Sequence, residues 1–402
     1  MNSTGRDPVS DRLRDTLVDF TEACAAEQLS YLIDLSNQNS YTYNKDGTDR
    51  VAELILGKIG QLFPTHRVFE QADCGNHLCL SNAAGFKSIH VLGHMDTVFP
   101  PDHAFRECRL DGNLLRGPGC GDMKAGLVTI VYAMLALNEA GKLDAIPLTV
   151  VLGGDEEVGS VTSRPIHEGA RENALCCLVV EGAGQDGEVV VSRNGKMGAR
   201  LDCHGHDRHI GAGTHEKSSA ILELAHKTIT LEALNGCLPG TSLNVGKIEG
   251  GLGPATVAAR ASAQIDVRWR EQEHRDRLME KIAALVSAED LVGCRSEFTT
   301  LNERAAMPAS EENQQLAELV QRTGEELGQS FGQEHRRGTS DANFYGSFGV
   351  PTVDGIGPIC TGYHTADEYV VIPSIKLRTA LLANALVAIS SQYGGVSLQV
   401  GG

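Results

Sequence analysis

Three short apolar runs, residues 88–96, 146–153 and 174–181, constrain this chain more than anything else in it. None alternates cleanly between apolar and polar positions, which is how strands buried on both faces of a parallel sheet read. Between the first two lies 123–140, where Leu127, Ile130, Val131, Met134 and Leu135 recur at helical spacing and Gly141 stands as a stop. The series reads β-α-β-α-β, and parallel strands joined this way must be covered by helices. The expected fold is α/β: a mostly parallel sheet flanked by helices.

Each run closes on residues able to do chemistry. His94 and Asp96 end the first, Asp155-Glu156-Glu157 follow the second, and Glu181 ends the third. Open α/β sheets bind their ligands at these carboxyl ends. Asp122 follows the glycine-rich stretch Gly117-Pro118-Gly119-Cys120-Gly121 and precedes a helix, so a plain N-cap is the bland expectation for it. His364 follows the loop 355–362, whose glycines permit unusual backbone angles.

The middle of the chain changes character. Strands are expected at 197–204, 241–248, 256–270 and 295–300, with helices at 216–235 and 272–286. Along 256–270 the residues Val257, Ala259, Ala263, Ile265, Val267 and Trp269 share one parity. The order β-α-β-β-α-β is that of a ferredoxin-like α+β domain. It reads as an insertion, because α/β character resumes with a helix at 311–327, a strand at 350–354 and a last helix at 373–391. The expected division is 1–195, an inserted domain at 196–303, and 304–402.

Bulk properties narrow the partners. The net charge of −17 argues against nucleic acid or an anionic membrane surface. No apolar run approaches the ~20 residues of a membrane helix, and the N-terminus lacks the apolar core of a signal peptide. The 11 cysteines include no CxxC pair, which suits a reducing, cytoplasmic setting.

Two imidazoles and several carboxylates at strand ends supply ligands for two adjacent divalent metals. His94 and Asp96 leave the same face of a strand, so one can bind metal while the other receives the ring's second N–H. Glu156 and Glu157, if extended, point to opposite sides; one can bind metal while the other serves as a base. Nitrogen and carboxylate donors without thiolate suit zinc, with cobalt or manganese as substitutes. Metal-assisted hydrolysis is the chemistry expected.

These residues resemble the dinuclear-zinc hydrolase family of glutamate carboxypeptidase, acetylornithine deacetylase, succinyl-diaminopimelate desuccinylase and the aminoacylases. The likeness runs from Tyr41-Thr42-Tyr43-Asn44 to the last helix and includes Gly338-Thr339-Ser340-Asp341-Ala342. It is nearest the glutamate carboxypeptidase-like branch. The resemblance implies two Zn2+ per chain, with Asp122 bridging them, His94 and Glu181 on one, and Glu157 and His364 on the other. It makes Glu156 the general base and Asp96 the residue that orients His94. It further implies a homodimer formed through the inserted domain, with His209 stabilising the oxyanion. Arg268 and Arg304 then hold the carboxylate of a small peptide or N-acyl amino acid.

His209 has a bland alternative, since His204, His206 and His215 make its neighbourhood histidine-rich; Arg268 has one too, on the polar side of its strand. Two positions depart from the carboxypeptidase branch: Ala255 replaces a frequent asparagine, and Gly187-Glu188-Val189 stands where a lysine holds a glutamate side chain. Cys120 is expected to be a small filler. The function expected is carboxypeptidase-like hydrolysis beside a free carboxylate, with N-acyl-amino-acid deacylation as the alternative. A catalytically silent metal-binding protein on the same fold is the alternative of another class, which the retention of Glu156 disfavours.

Overall fold

The computed structural model describes residues 8–83, 85–212 and 217–393. They form two compact units. The first comprises Met1–Ser192, Ala309–His335 and Ser340–Gly402; the second comprises Arg193–Pro308 and Arg336–Thr339.

The first unit is built on a six-stranded sheet. Its order is Thr65–Phe69, His77–Ser81, Leu148–Gly153, Ser88–His94, Ala174–Val179 and Thr352–Val353. The last four strands are mutually parallel. The first two join antiparallel at one edge. Strand Ser88–His94 is buried at every position, Ser88 and His90 included, as a strand covered on both faces requires. On one face Ile89, Val91, Val150 and Leu152 share a core with Leu127, Ile130 and Val131 of the helix Ala125–Glu139. That helix is buried nearly all round because the C-terminal helix Ile372–Tyr393 packs behind it. Its approach to the strand ends is close: a Cβ on Gly126 would lie 2.0 Å from the Val180 carbonyl oxygen. Only glycine fits there, and this contact holds the helix against the chain entering Glu181.

The second unit is a four-stranded antiparallel sheet of order Ser242–Gly250, Arg260–Trp269, Gly195–His204 and Arg295–Arg304. Helices Ala220–Glu232 and Gln272–Ser287 complete the β-α-β-β-α-β series. Ala261, Ala263, Ile265, Val267 and Trp269 are buried while Ser262, Asp266 and Arg268 share the opposite face. The expected strand 256–270 is in fact two, because Thr256–Val257 pairs separately with Arg208–His209. The unit also reaches past 196–303: Arg193 and Met307 exchange backbone hydrogen bonds, and Asn194 N–H donates to the Arg336 carbonyl. Such pairing is invisible to local periodicity. His215 lies outside the described residues.

A buried ion pair ties the second unit's helices together. Lys227 and Glu223 are both 0% exposed. The Lys227 ammonium donates to the carbonyls of Leu285 (2.7 Å) and Ala288 (2.6 Å) and lies 2.8 Å from Asp290. It therefore satisfies carbonyls at and just beyond the end of helix Gln272–Ser287, where intrahelical donors run out. Glu223 in turn accepts from the N–H groups of Asp290 and Leu291. Removing one partner leaves the other charge buried and unmatched. Lys227→Met is expected to cost about 3–5 kcal/mol of stability, read from urea unfolding; a loss below about 1 kcal/mol would show that the charge is not needed there.

Candidate metal centre

His94 is the last residue of its strand, and Asp96 follows two residues on. The His94 Nδ1 side faces Asp96, at 3.1 Å from its carbonyl and 3.3 Å from Oδ1. Its Nε2 points the other way, to Asp122 Oδ1 at 3.1 Å and Glu181 Oε1 at 3.5 Å. The second oxygen of Asp122 faces a different imidazole, His364 Nε2, at 3.2 Å. That same nitrogen is 3.1 Å from Glu157 Oε2. Two groups of ligand atoms thus share one carboxylate: His94, Asp122 and Glu181, then Asp122, Glu157 and His364. Asp122 is no helix cap, since it makes no capping bond and its backbone (φ −120°, ψ 94°) is extended before the helix starts.

Asp96 does more than face His94. Its Oδ1 accepts the Glu156 N–H at 3.1 Å, and its Oδ2 accepts the Glu157 N–H at 3.2 Å and the Thr42 hydroxyl at 2.7 Å. Those bonds curl Glu156–Val158 into a single 3-10 turn. The extended geometry expected for the Glu156-Glu157 pair is therefore absent. Glu157 still turns to His364, and Glu156 is set by the same turn.

The loop is held from behind by Asp155. Its carboxylate accepts from Thr162 N–H (2.6 Å), Thr162 Oγ1 (2.9 Å) and Ser163 Oγ (2.5 Å). Cys74, His77 and Asp155 have metal-like spacing, but hydrogen bonds already account for the histidine. His77 Nδ1 accepts the Gly154 N–H, which leaves its Nε2 proton for Thr162 Oγ1. Sequence reading gave no role to Thr42 or to His77, because their partners Asp96 and Thr162 lie 54 and 85 residues away.

Electrostatics favour a cation among these ligands. Burial, reinforced by the Asp122 charge, pushes the Glu157 carboxyl well above its ordinary range; burial likewise raises Glu181. Burial opposes ionisation of Asp122 too, but hydrogen bonds from His364 and His94 outweigh it and hold that carboxyl low. His94 is raised well above its usual value although burial opposes this, because Glu181, Asp122 and Asp96 surround it. Hydrogen bonds to Asp122 and Glu157 lift His364 to about 10. Glu157 Oε1 is buried without a hydrogen-bond donor. Buried carboxylates crowded together with one oxygen unmatched fit divalent cations, and an all-oxygen-and-nitrogen set suits zinc, cobalt or manganese.

The remaining expected site residues belong to the second unit. Arg268, Lys196 and Arg304 are register partners across three adjacent strands, hence on one face. Arg268 Nε donates to Asp266 at 2.8 Å, and one of its terminal nitrogens lies 3.3 Å from the Arg337 carbonyl. His209 sits on the short strand paired with Thr256, exposed, with Nδ1 accepting the Gly211 N–H. Ala255 accepts the Ile210 N–H through its carbonyl. In the first unit Glu188 turns its carboxylate to the Asp186 N–H, and Cys120 is fully buried as a filler.

Residues 90–388 match the model of Peptidase family M20/M25/M40. Carboxypeptidase G2 of Pseudomonas sp. (strain RS-16) is 26% identical over 308 residues, 75% of this chain and 74% of its own length. Succinyl-diaminopimelate desuccinylase of Alkalilimnicola ehrlichii is 25% identical over 297 residues, covering 69% and 77%. A tripeptidase from Staphylococcus aureus superposes with a TM-score of 0.75 at 21% identity, over 92% of this chain and 99% of that one. An M20 family metallo-carboxypeptidase from Sulfolobus solfataricus gives 0.71 at 16% identity, over 90% and 98%.

Proton competition makes the metal centre testable. The folded-state pKa of His364 lies above 6.5, so a cation must displace its proton anywhere below about pH 10. Protein stripped with chelator should therefore bind zinc more tightly as pH rises from 6.5 towards 10, by up to about tenfold per unit for each proton released. Calorimetry near neutral pH in two buffers of different ionisation enthalpy counts those protons, and a count of zero would contradict this pairing.

Proposed function

The chain belongs to peptidase family M20/M25/M40 and is a metal-dependent hydrolase, and from that premise we propose a dinuclear zinc enzyme that cleaves a peptide or N-acyl amide bond beside a free carboxylate. The observation that carries this reading is the Asp122 carboxylate, whose two oxygens face His94 and His364 at 3.1 and 3.2 Å. His94 and Glu181 would hold one ion, Glu157 and His364 the other, with Asp122 shared. Two bound zinc ions would supply Lewis acidity, polarising the scissile carbonyl and making water a better acid.

The chain's own groups manage the protons. Glu156 takes a proton from the attacking water as the new C–O bond forms, then gives it to the nitrogen as the C–N bond breaks. Asp96 fixes both partners of this work, since it faces His94 and accepts the Glu156 N–H. His209 stabilises the oxyanion of the tetrahedral intermediate. Arg268, with Arg304 two strands away across Lys196 on the same face, holds the carboxylate of the leaving amino acid through charge-assisted hydrogen bonds. With Glu188 where a glutamate-holding lysine stands in the carboxypeptidase branch, the side-chain preference is broader than glutamate.

The enzyme acts as a homodimer in this reading. Supporting it, strand Ser242–Gly250 is an edge strand, and nearby Ile221, Ile229, Ile248 and Leu252 in the same unit are 47%, 71%, 54% and 91% exposed. Unpaired edges and exposed apolar residues are what a partner would cover. The eleven free cysteines support a cytoplasmic setting. Carboxypeptidase activity is favoured; the desuccinylase relatives make N-acyl-amino-acid deacylation the second reading.

Two experiments test the roles. Glu156→Ala should keep its metal, measured by elemental analysis, while kcat falls about 10²–10⁴-fold; retention of most of kcat would refute the base assignment. Zinc- or cobalt-loaded enzyme should be given a panel of dipeptides and N-acyl amino acids, each as free acid and as C-terminal amide. Amidation is expected to lower kcat/KM by at least ~100-fold, about 2.7 kcal/mol, and Arg268→Ala should shrink that gap. Equal turnover of acids and amides would point to an aminopeptidase-like specificity instead.

A further inference from the structure

Glu368 belongs to none of the ligand groups, yet its carboxylate meets the loop that carries Asp122. It is fully buried, at 0% exposure. One oxygen accepts the N–H of Gly121 at 2.8 Å and of Asp122 at 2.9 Å; the other accepts the N–H of Gly119 at 3.1 Å. Three donors of one loop therefore converge on one side chain, while the Cys120 N–H between them turns to the Gly117 carbonyl. The loop is built for that approach. Gly119 takes φ +66°, and a Cβ on Gly121 would come within 2.9 Å of Cys360 Cβ and 3.4 Å of the Glu368 carboxylate.

The other end of Glu368 is tied to His364. Glu368 N–H donates to the Thr365 carbonyl, Thr365 N–H donates to the Gly362 carbonyl, and Asp367 N–H donates to Thr365 Oγ1. His364 sits inside this closed turn at φ +62°. Immediately after it, strand Tyr369–Val371 pairs with Leu114–Arg116, the strand that leads into Gly117. One carboxylate thus joins the turn bearing His364 to the loop bearing Asp122. A hydrophobic side chain could pack in the same space, but it would leave three buried N–H groups without acceptors.

We propose that Glu368 is a positioning residue for the metal centre: it sets the Asp122 carboxylate between the two imidazoles, and so governs the affinity of both cation positions at once. The proposal rests on the dinuclear reading above. It distinguishes Glu368 from a simple structural staple, because Asp122 is the only ligand shared by both described groups, and its loop has no freedom to shift without disturbing each of them. A residue that merely filled space would affect folding and leave the cation affinity of the folded fraction alone.

The test uses the full chain, stripped with chelator and reloaded. Zinc affinity is measured by competition with a chromophoric chelator, and ligand geometry by the visible absorption of cobalt-loaded protein. In Glu368→Gln an amide NH₂ must face one of the three N–H donors. Both equivalents of zinc should then bind about 10–100-fold more weakly, with an altered cobalt spectrum, in protein whose circular dichroism matches wild type. Folded Glu368→Gln with wild-type affinity for both equivalents would overturn the proposal. Because the variant can fail to fold, hydrogen exchange on metal-stripped wild type supplies a second arm. Slow exchange in peptides covering Gly119–Asp122 supports the proposal, and unprotected exchange overturns it. Wild-type protein that takes up no zinc would overturn the dinuclear reading itself, an outcome separate from both arms.

Discussion

Asp122 places one carboxylate oxygen 3.1 Å from His94 and the other 3.2 Å from His364, and the rest of the first unit is arranged around keeping it there. Its backbone is extended just before a helix, its peptide N–H is taken by Glu368, and the helix that follows is locked to the sheet at Gly126. A carboxylate in this position faces opposing demands. Burial disfavours its charge, while two imidazoles favour it, and the imidazoles win. The same charge then makes its neighbour Glu157 costly to ionise. A divalent cation would resolve that conflict, so these repelling acids suit a metal-dependent hydrolase.

Support for the ligands comes from groups that never touch them through metal. Asp96 gathers the Glu156 and Glu157 N–H groups and the Thr42 hydroxyl while facing His94. Asp155 gathers Thr162 and Ser163, closing the same loop from the other side. Asp96 and Asp155 are each matched by several donors, the condition under which a buried charge rigidifies a structure instead of weakening it. Glu156 and Glu157, adjacent in sequence, are thereby held by one turn.

In the second unit the work is divided by face. One side of the antiparallel sheet carries the apolar core capped by two helices, and the other carries Lys196, Arg268 and Arg304 in register. Like charges directly opposite in a ladder are unfavourable. Asp266 offsets part of this by meeting Arg268 at 2.8 Å and Lys196 at 3.9 Å. In a chain of net charge −17, such a row is a local exception to the overall field.

Periodicity and residue chemistry were enough to read the buried parallel strands, the inserted β-α-β-β-α-β series and the candidate acids and histidines at the strand ends, while their grouping around two cations was implied by the family resemblance. Mostly apolar runs without clean alternation fit a sheet covered on both faces, and acids at their C-terminal ends lie at its carboxyl edge. Other features depend on partners far away along the chain. The antiparallel strand Thr65–Phe69 at the sheet edge has no sequence signal, since it is exposed and carries no core pattern, and His77–Ser81 beside it is likewise absent from the sequence reading. The 3-10 turn at Glu156 exists because Asp96, sixty residues earlier, accepts its N–H. No sequence pattern marks Glu368, and only folding brings it under Gly119–Asp122. Side-chain type is local information and says which metals and protons a chain can handle. Which acid becomes a ligand, a base or a brace is decided by backbone donors that tertiary structure delivers.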